Sequence, residues 1–308
     1  MRAPTFSLEG FAVLKRKDAS SVIFDLIKYI LLTVTALVCV LPFIIIIAGS
    51  FSENAAIIRE GYGLWPRGFS LEAYETVFKI PVGIIQAYKM NFYYTIVGTS
   101  IGLFMITLTA YVVSRREFKY RNRVSFLIYF TSIFGGGMIP WYLVYTSVLG
   151  LKGNPLAIWF PALMTPFFVI LMRTFIQGSV PDAITEAAKI DGAGHLTIYF
   201  RIVLPVIGPA LATVGLFLAL NYWNDWYRSS MFSINNTTYQ LQFYLYEMVN
   251  SAQAVQDMAR SGSVPTNQMP TQTVKLAMAV VATGPVLLFY PFVQRYFVSG
   301  ITVGAVKG

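Results

Sequence analysis

Long apolar runs separated by polar connections dominate the hydrophobic pattern of the chain. At a rise of about 1.5 Å per residue, roughly twenty apolar residues cross a bilayer as a helix. Six stretches reach that length, near residues 26–50, 94–114, 125–149, 156–176, 206–226 and 274–294. Their charged residues fall near the ends, so no stretch carries the cost of a central charge. The pattern predicts an all-α integral membrane protein with about six transmembrane helices.

Composition agrees with lipid as the surrounding medium. Of 308 residues, 56% are hydrophobic and 12% are charged, and the mean hydropathy is +0.60. The net charge of +9 follows the connections between spans, so it predicts membrane topology rather than a nucleic-acid partner. The single cysteine, Cys39, allows no disulfide within the chain.

The distribution of Lys and Arg predicts the orientation of the spans. Cytosolic loops of membrane proteins carry an excess of positive charge. Five basic residues lie between the second and third spans: Arg115, Arg116, Lys119, Arg121 and Arg123. With this loop in the cytosol, six spans place both termini in the cytosol as well. The basic loop is also expected to contact anionic membrane lipid.

This topology divides the chain into four parts. They are a cytosolic N-terminal segment (1–25), a first transmembrane helix with an outer loop (26–93), a transmembrane core (94–294) with a loop at 178–205, and a cytosolic C-terminal tail (295–308).

The loop between the fourth and fifth spans carries an ordered set of helix signals. Pro181 suits the first turn of a helix, and Asp182 complements its positive end. Ala187 and Ala188 favour continuation, and Gly192 permits the chain to reverse. From these residues alone we expect an amphipathic cytosolic hairpin.

The same loop resembles the EAA signature of the permease subunits of binding-protein-dependent ABC importers. The matching positions, which the resemblance assigns to ATPase coupling, are Glu186, Ala187, Ala188, Asp191, Gly192, Ala193, Leu204 and Pro205. The resemblance implies the architecture of a type I ABC importer permease. It also implies that Glu186 is a polar anchor in a cleft of the ATPase, next to two small residues that allow close approach.

The source of energy is expected to lie on another subunit. The sequence Gly-x-x-x-x-Gly-Lys-[Ser/Thr] occurs nowhere in the chain, so no cofactor bound by this route and no catalytic residue are expected. The resemblance implies ATP and Mg²⁺ on two copies of a cytosolic ABC ATPase, a second homologous permease and an extracytoplasmic solute-binding protein. It implies a multi-pass protein of the bacterial cytoplasmic membrane that is not itself an enzyme.

Two further runs predict a substrate path. The run 134–142 has three glycines and a proline, which are tolerated in a span where backbone lines a cavity, or where small residues let helices pack closely. The run 221–227 combines rings, amides and a carboxylate, which suit a sugar, although an interfacial aromatic belt is the alternative. The path residues we expect are Gly136, Trp141, Tyr142, Tyr145, Asn221, Trp223, Asn224 and Asp225.

The glycine run and the C-terminal segment 300–308 resemble those of oligosaccharide permeases, although Trp141 stands where that subgroup commonly has a small polar residue. The resemblance implies an oligosaccharide substrate and no resident metal. Three alternatives remain at this point. One is an ABC permease for an amino acid, a metal or a phosphonate; the second is a secondary carrier or channel; the third is a membrane receptor or scaffold.

Overall fold

The computed structural model describes residues 19–78, 81–234, 238–260 and 272–288. Within these ranges the regular structure is helical, and only an isolated antiparallel bridge between Ser52 and Phe69 departs from it. The helices are α1 (Ala19–Ser50), α2 (Asn54–Glu60), α3 (Glu72–Phe78), α4 (Pro81–Ser114), α5 (Arg121–Ile133), α6 (Met138–Leu143), α7 (Leu156–Trp159), α8 (Pro166–Ser179), α9 (Asp182–Ile190), α10 (His195–Ile198), α11 (Leu204–Val206), α12 (Gly208–Trp223), α13 (Tyr227–Phe232), α14 (Leu241–Arg260) and α15 (Gln272–Leu288). For these residues the all-α prediction is confirmed.

Three short turns of other helix types extend these elements. A π-helical turn (Val144–Val148) continues α6, a 3₁₀ turn (Phe160–Ala162) continues α7, and a second π-helical turn (Tyr199–Val203) joins α10 to α11.

Two helices are long and apolar enough to cross a membrane without a break, Ile23–Ser50 within α1 and Gly83–Ser114 within α4. Three further pairs reach that length only together, because each pair is bent: Arg121–Ile133 with Met138–Val148 by 115°, Leu156–Ala162 with Pro166–Ser179 by 43°, and His195–Val206 with Gly208–Trp223 by 84°. Counting each pair as one span gives up to five in the described residues. The sixth predicted span, 274–294, continues beyond Leu288 and so lies partly outside the described residues.

The third predicted span, 125–149, is not one continuous helix. α5 ends at Ile133 and α6 begins at Met138, and the glycines between them interrupt the backbone hydrogen-bond ladder. Gly137 has φ of +87°, a conformation that side chains with a Cβ rarely adopt. Pro140 lies in the first turn of α6, where its missing N–H removes no intrahelical bond.

The helix that contains the second predicted span, 94–114, begins at Pro81. α4 has 34 residues, which makes it roughly 50 Å long and longer than a bilayer core is thick. Its extra N-terminal turns are stabilised by packing, because Ile84 and Ala87 are buried in a cluster with Leu241 of α14 and Val274 of α15.

α4 is the central helix, and it packs along both α8 and α12. The cluster between them includes Ile106 and Ala110 of α4, Met172 and Ile176 of α8, and Val214 and Leu218 of α12. Nearer the other end of α12, a Cβ added to Gly98 would lie 2.6 Å from the ring of Tyr222, so a glycine is needed for the two helices to approach. α4 therefore lies between the loop that contains α9 and the end of α12, which are the two candidate regions described below.

α1 lies outside this core. Its side chains from Ile23 to Ile44 are almost all exposed, with Leu31 at 64% and Leu37 at 63%. A helix that is apolar on all sides is typical of a lipid-facing span. Its C-terminal end is fixed by packing and by a hydrogen bond of 2.8 Å between the hydroxyls of Ser50 and Tyr74.

Candidate functional site

The first candidate region is the loop that contains α9, and its bend is closed by a defined hydrogen-bond motif. The amide of Ala193 donates to the carbonyl of Ala188 at 2.9 Å, and that of Gly192 donates to the carbonyl of Lys189 at 2.9 Å. This pair of bonds is a Schellman motif, which needs a left-handed residue at its penultimate position. Gly192 occupies that position with φ of +84°. The chain therefore reverses at the glycine where the sequence predicts a bend.

Three residues that follow α4 hold α9 in place, and we call Arg115, Arg116 and Glu117 the 115–117 clamp. The guanidinium of Arg115 donates to the hydroxyl of Thr185 at 3.1 Å in a buried contact. The guanidinium of Arg116 lies 3.0 Å from the carboxylate of Asp182, and the carboxylate of Glu117 pairs with the ammonium of Lys189. α9 is thus fixed to the end of α4 at its start, middle and end.

In the third of these contacts Glu117 is exposed and Lys189 is half-buried, and the pair is electrostatically favourable. The hydrogen bond from Lys189 lowers the pKa of Glu117 from its ordinary value, and the charges of His195 and Arg115 act in the same direction. Burial of the carboxylate is the second-largest effect and raises the pKa, but the net direction is downward. A lowered pKa keeps this carboxylate ionised at neutral pH, so the pair persists there.

Deeper contacts connect the rest of the loop to α4. The hydroxyls of Thr107 and Tyr199 are 2.7 Å apart in a buried contact, and the hydroxyl of Tyr111 donates to the carbonyl of His195 at 3.4 Å. The partly buried apolar side chains that pack on the same core cluster include three predicted coupling residues, Ala188, Ala193 and Leu204. These three hold the loop on the core.

The opposite side of the loop is open. Of the other predicted coupling residues, Glu186, Ala187, Asp191 and Pro205 are exposed, as is Gly192. Apolar side chains that no described residue covers lie beside them: Ile184 is 48% exposed, Leu196 65% and Ile190 87%. Ile190 is thus an exposed apolar side chain four positions after the exposed Glu186 on the same helix. We call Ile184, Glu186, Ala187, Ile190 and Asp191 the α9 surface.

The second candidate region is a cavity of about 900 Å³ between the α6 and α12 ends, and we call it the outer cavity. Four of the predicted path residues line it: Trp141, Asn221, Asn224 and Asp225. Its other walls include Met138, Phe168, Phe217, Trp226, Tyr227 and Arg228. The ring of Trp141 stacks on that of Tyr227 with 6.4 Å between centroids and 16° between planes.

A network of charged and polar groups fixes one wall of the outer cavity. Nε of Arg228 lies 2.7 Å from the carboxylate of Asp225 in an ion pair, and Nη2 donates to the side-chain oxygen of Asn221 at 2.9 Å. Its backbone amide also donates to Asp225, at 3.1 Å. The Asp225 side chain is only 7% exposed, so its charge depends on this arginine. The wall is rigid and has no net charge.

The remaining predicted path residues do not line this cavity. Trp223 is 5% exposed and packs edge-on against Phe92, with 5.2 Å between centroids. Tyr142 and Tyr145 surround Phe232, at 5.8 and 5.7 Å between centroids.

Gly136 is exposed in the break before α6, and its neighbour Gly137 reaches the cavity. The structure therefore brings four of the eight predicted path residues together and places the other four behind or beside them.

Sequence reasoning missed the 115–117 clamp and Arg228. The basic residues after α4 were interpreted through topology alone, and their partners in α9 lie about 70 positions away, with no signal in the sequence. For Arg228 a signal was present, because an Arg three residues after an Asp at a helix start is a common ion-pair spacing.

The sequence of the chain was compared with those of known proteins. No protein-family model matches the chain. The polygalacturonan/rhamnogalacturonan transport system permease protein YtcP of Bacillus subtilis (strain 168) is 39% identical over 287 residues, which cover 93% of this chain and 99% of that protein. Protein LplC of the same organism is 35% identical over 287 residues and covers 93% and 95%.

A solved structure of a transport protein is also similar to this chain. A chain of a bacterial ABC transporter involved in the import of the acidic polysaccharide alginate is 31% identical, with a TM-score of 0.80. The match covers 91% of this chain and 98% of that one.

The helical fold, its bent spans and its fixed, exposed loop define a multi-pass membrane permease. The chain belongs to the family of sugar ABC-transporter permeases. It is therefore an integral membrane transport subunit and not an enzyme, as the sequence predicts.

Proposed function

We propose that this chain is one of two permease subunits that enclose the path of an ATP-driven oligosaccharide importer. An extracytoplasmic solute-binding protein delivers the sugar, and two copies of a cytosolic ABC ATPase supply energy from ATP and Mg²⁺ that they bind themselves. The α9 surface is the observation that carries this proposal. It exposes Glu186 and Ile190 on a helix that the 115–117 clamp attaches to the central helix.

The attachment of α9 to α4 couples the ATPase to the permease helices. An ATPase that binds the α9 surface moves a helix whose ends are both fixed to the end of α4 through ion pairs. α4 in turn packs along α12, which ends at the outer cavity. Closure of the two ATPases then shifts the permease toward a state that opens outward, and hydrolysis reverses the shift.

The proposed topology has six spans with both termini in the cytosol. The contacts between the basic loop and α9 support it, because the positive-inside rule and the ATPase-binding loop then require the same side of the membrane. The bent pairs each count as one span in this topology, and the last span continues from α15.

The outer cavity supports a sugar as the substrate. Flat rings such as Trp141 and Tyr227 fit the C–H faces of a sugar, while Asn221 and Asn224 offer amides to its hydroxyls. Relatives import polygalacturonan or rhamnogalacturonan and arabino-oligosaccharides. We therefore place an oligosaccharide in this cavity.

Uptake into proteoliposomes tests the proposal. The complex is co-purified through a tag on this chain, reconstituted with its binding protein, and offered labelled galacturonate oligomers, arabino-oligosaccharides, an amino acid or a phosphonate. We expect uptake of a sugar oligomer only with internal ATP and Mg²⁺. Uptake without ATP would identify a secondary carrier, and uptake of the amino acid or phosphonate alone would refute the substrate class.

A further inference from the structure

A second cavity, distinct from the outer cavity, lies among α4, α5 and α8 and has a volume of about 350 Å³. Apolar side chains form most of its wall, among them Val113, Phe126, Val169 and Ile170. One cationic side chain, Arg173 of α8, also lines it. We call it the Arg173 cavity.

Arg173 has no polar partner among the described residues. Its Nε is inaccessible to solvent and makes no hydrogen bond, and no described carboxylate lies within ion-pair distance of its guanidinium. Arg173 is half-buried, and its shielded Nε between apolar walls favours an anion beside the guanidinium. Two further donor groups, the amide of Asn122 and the hydroxyl of Tyr129, line the same cavity, and no acidic side chain does.

The cavity reaches the C-terminal end of α4 and the N-terminal end of α5, and it borders the middle of α8. Val113 is next to the last residue of α4, and Asn122 is the second residue of α5. Arg173 is roughly 9 Å from the end of α8, at about 1.5 Å per residue, and α9 follows that end. In the orientation proposed above, this level is the boundary of the inner leaflet.

We propose that the Arg173 cavity binds the phosphate headgroup of an anionic phospholipid. The guanidinium of Arg173 receives the phosphate in a charge-assisted contact, and the Asn122 and Tyr129 donors complete its coordination. Basic pockets between transmembrane helices at the cytosolic side are recognised lipid sites. The bound lipid supplies the counter-charge that no described residue provides.

The surroundings favour a lipid over a free anion. The side of α5 beside the cavity is apolar and exposed, with Phe126 at 67% and Leu127 at 64%. An acyl chain attached to the headgroup can cover these side chains, whereas inorganic phosphate cannot. Charge on the preceding loop, including Arg121, raises the local concentration of anionic headgroups.

Native mass spectrometry of the intact complex tests the inference. The complex co-purified through a tag on this chain is placed in nanodiscs of equal phosphatidylglycerol and phosphatidylcholine, released in the spectrometer, and examined for retained lipid. We expect retained phosphatidylglycerol, and a fraction about tenfold lower in Arg173→Gln, as expected for loss of a charge-assisted contact. Arg59→Gln, which removes an exposed charge from α2, a helix that does not line the Arg173 cavity, is the matched control and should retain the lipid.

A second variant tests the same cavity independently, in case Arg173→Gln does not fold. Ser125→Leu keeps every charge but fills the cavity, because Ser125 lines it, and should also lose the lipid. Equal retention in the wild type and both variants would overturn the proposal, as would equal retention of phosphatidylcholine. Displacement of the lipid by millimolar inorganic phosphate would identify a free-anion site instead. Lipid retention is measured without transport, so this result is separate from the test of uptake.

Discussion

The guanidinium of Arg116 lies 3.0 Å from the carboxylate of Asp182, which joins the loop after α4 to the first residue of α9. Two neighbours of Arg116 repeat this attachment further along α9. The helix that carries the EAA signature is therefore held by side chains as well as by its own chain connections. In this account, movement of α9 reaches the central helix through these contacts.

Exchange of charge between Glu117 and Lys189 tests the clamp. Glu117→Lys alone places two cations together, and Lys189→Glu alone places two anions together, so each should loosen α9. The pair is exposed, so we expect a loss of about 0.5 kcal/mol in local stability. Faster hydrogen exchange at the α9 amides would report it. The double variant restores an ion pair and should return exchange to the wild-type rate; if it does not, the pair makes no contribution.

Substitution of Gly192 by Val should disturb the bend. No atom lies within 4 Å of a Cβ added there, so the cost comes from the left-handed backbone alone. We expect roughly 1–2 kcal/mol of local destabilisation. Gly194→Val is the matched control, because Gly194 also has open space around it but has φ of −71°. Uptake should fall in the first variant and persist in the second; equal uptake in both would show that the bend has no role.

Removal of Arg228 should destabilise the wall of the outer cavity. Arg228→Met leaves Asp225 buried without its partner, and such losses are about 3–5 kcal/mol. Asp225→Asn combined with Arg228→Met removes both charges and should recover most of the thermal stability. A double variant as unstable as the single one would contradict the ion-pair explanation.

Replacement of Trp141 by Ala should weaken sugar binding more than folding. The ring lines the outer cavity and stacks on Tyr227, so its loss should raise the KM for uptake about threefold to tenfold. Trp65→Ala is the control, since Trp65 is 83% exposed and does not line this cavity. Unchanged KM in Trp141→Ala would make this ring a packing residue.

Local signals were predictable from the sequence. The apolar runs give the class of protein, and Gly192 gives the bend because few other residues adopt its φ. The glycines at 135–137 predict an interruption of the third span, although only the structure shows that the helices on either side are bent by 115°. α4 begins before the predicted span 94–114 because residues 81–93 are stabilised by packing on distant elements, which hydropathy does not report.

Helical periodicity explains why Trp223 does not line the outer cavity with the other residues of its run. Asn221 lies in the last turn of α12, Asn224 and Asp225 follow the end of that helix, and all three line the outer cavity. Trp223 is two positions from Asn221 and therefore points to the opposite side, where it is buried on Phe92. The run 221–227 was predicted to form one sugar-binding surface, whereas the structure places its side chains on two different sides.

ATP hydrolysis by the reconstituted complex with Glu186→Lys tests the central claim most directly. Glu186 is exposed on the α9 surface and is not part of the core, so the variant should insert and assemble normally. The matched control is Glu72→Lys, an exposed charge reversal at the start of α3. We predict that Glu186→Lys abolishes both sugar-stimulated ATP hydrolysis and uptake, while Glu72→Lys retains both. Normal sugar-stimulated hydrolysis in Glu186→Lys would contradict the assignment of α9 as the coupling helix.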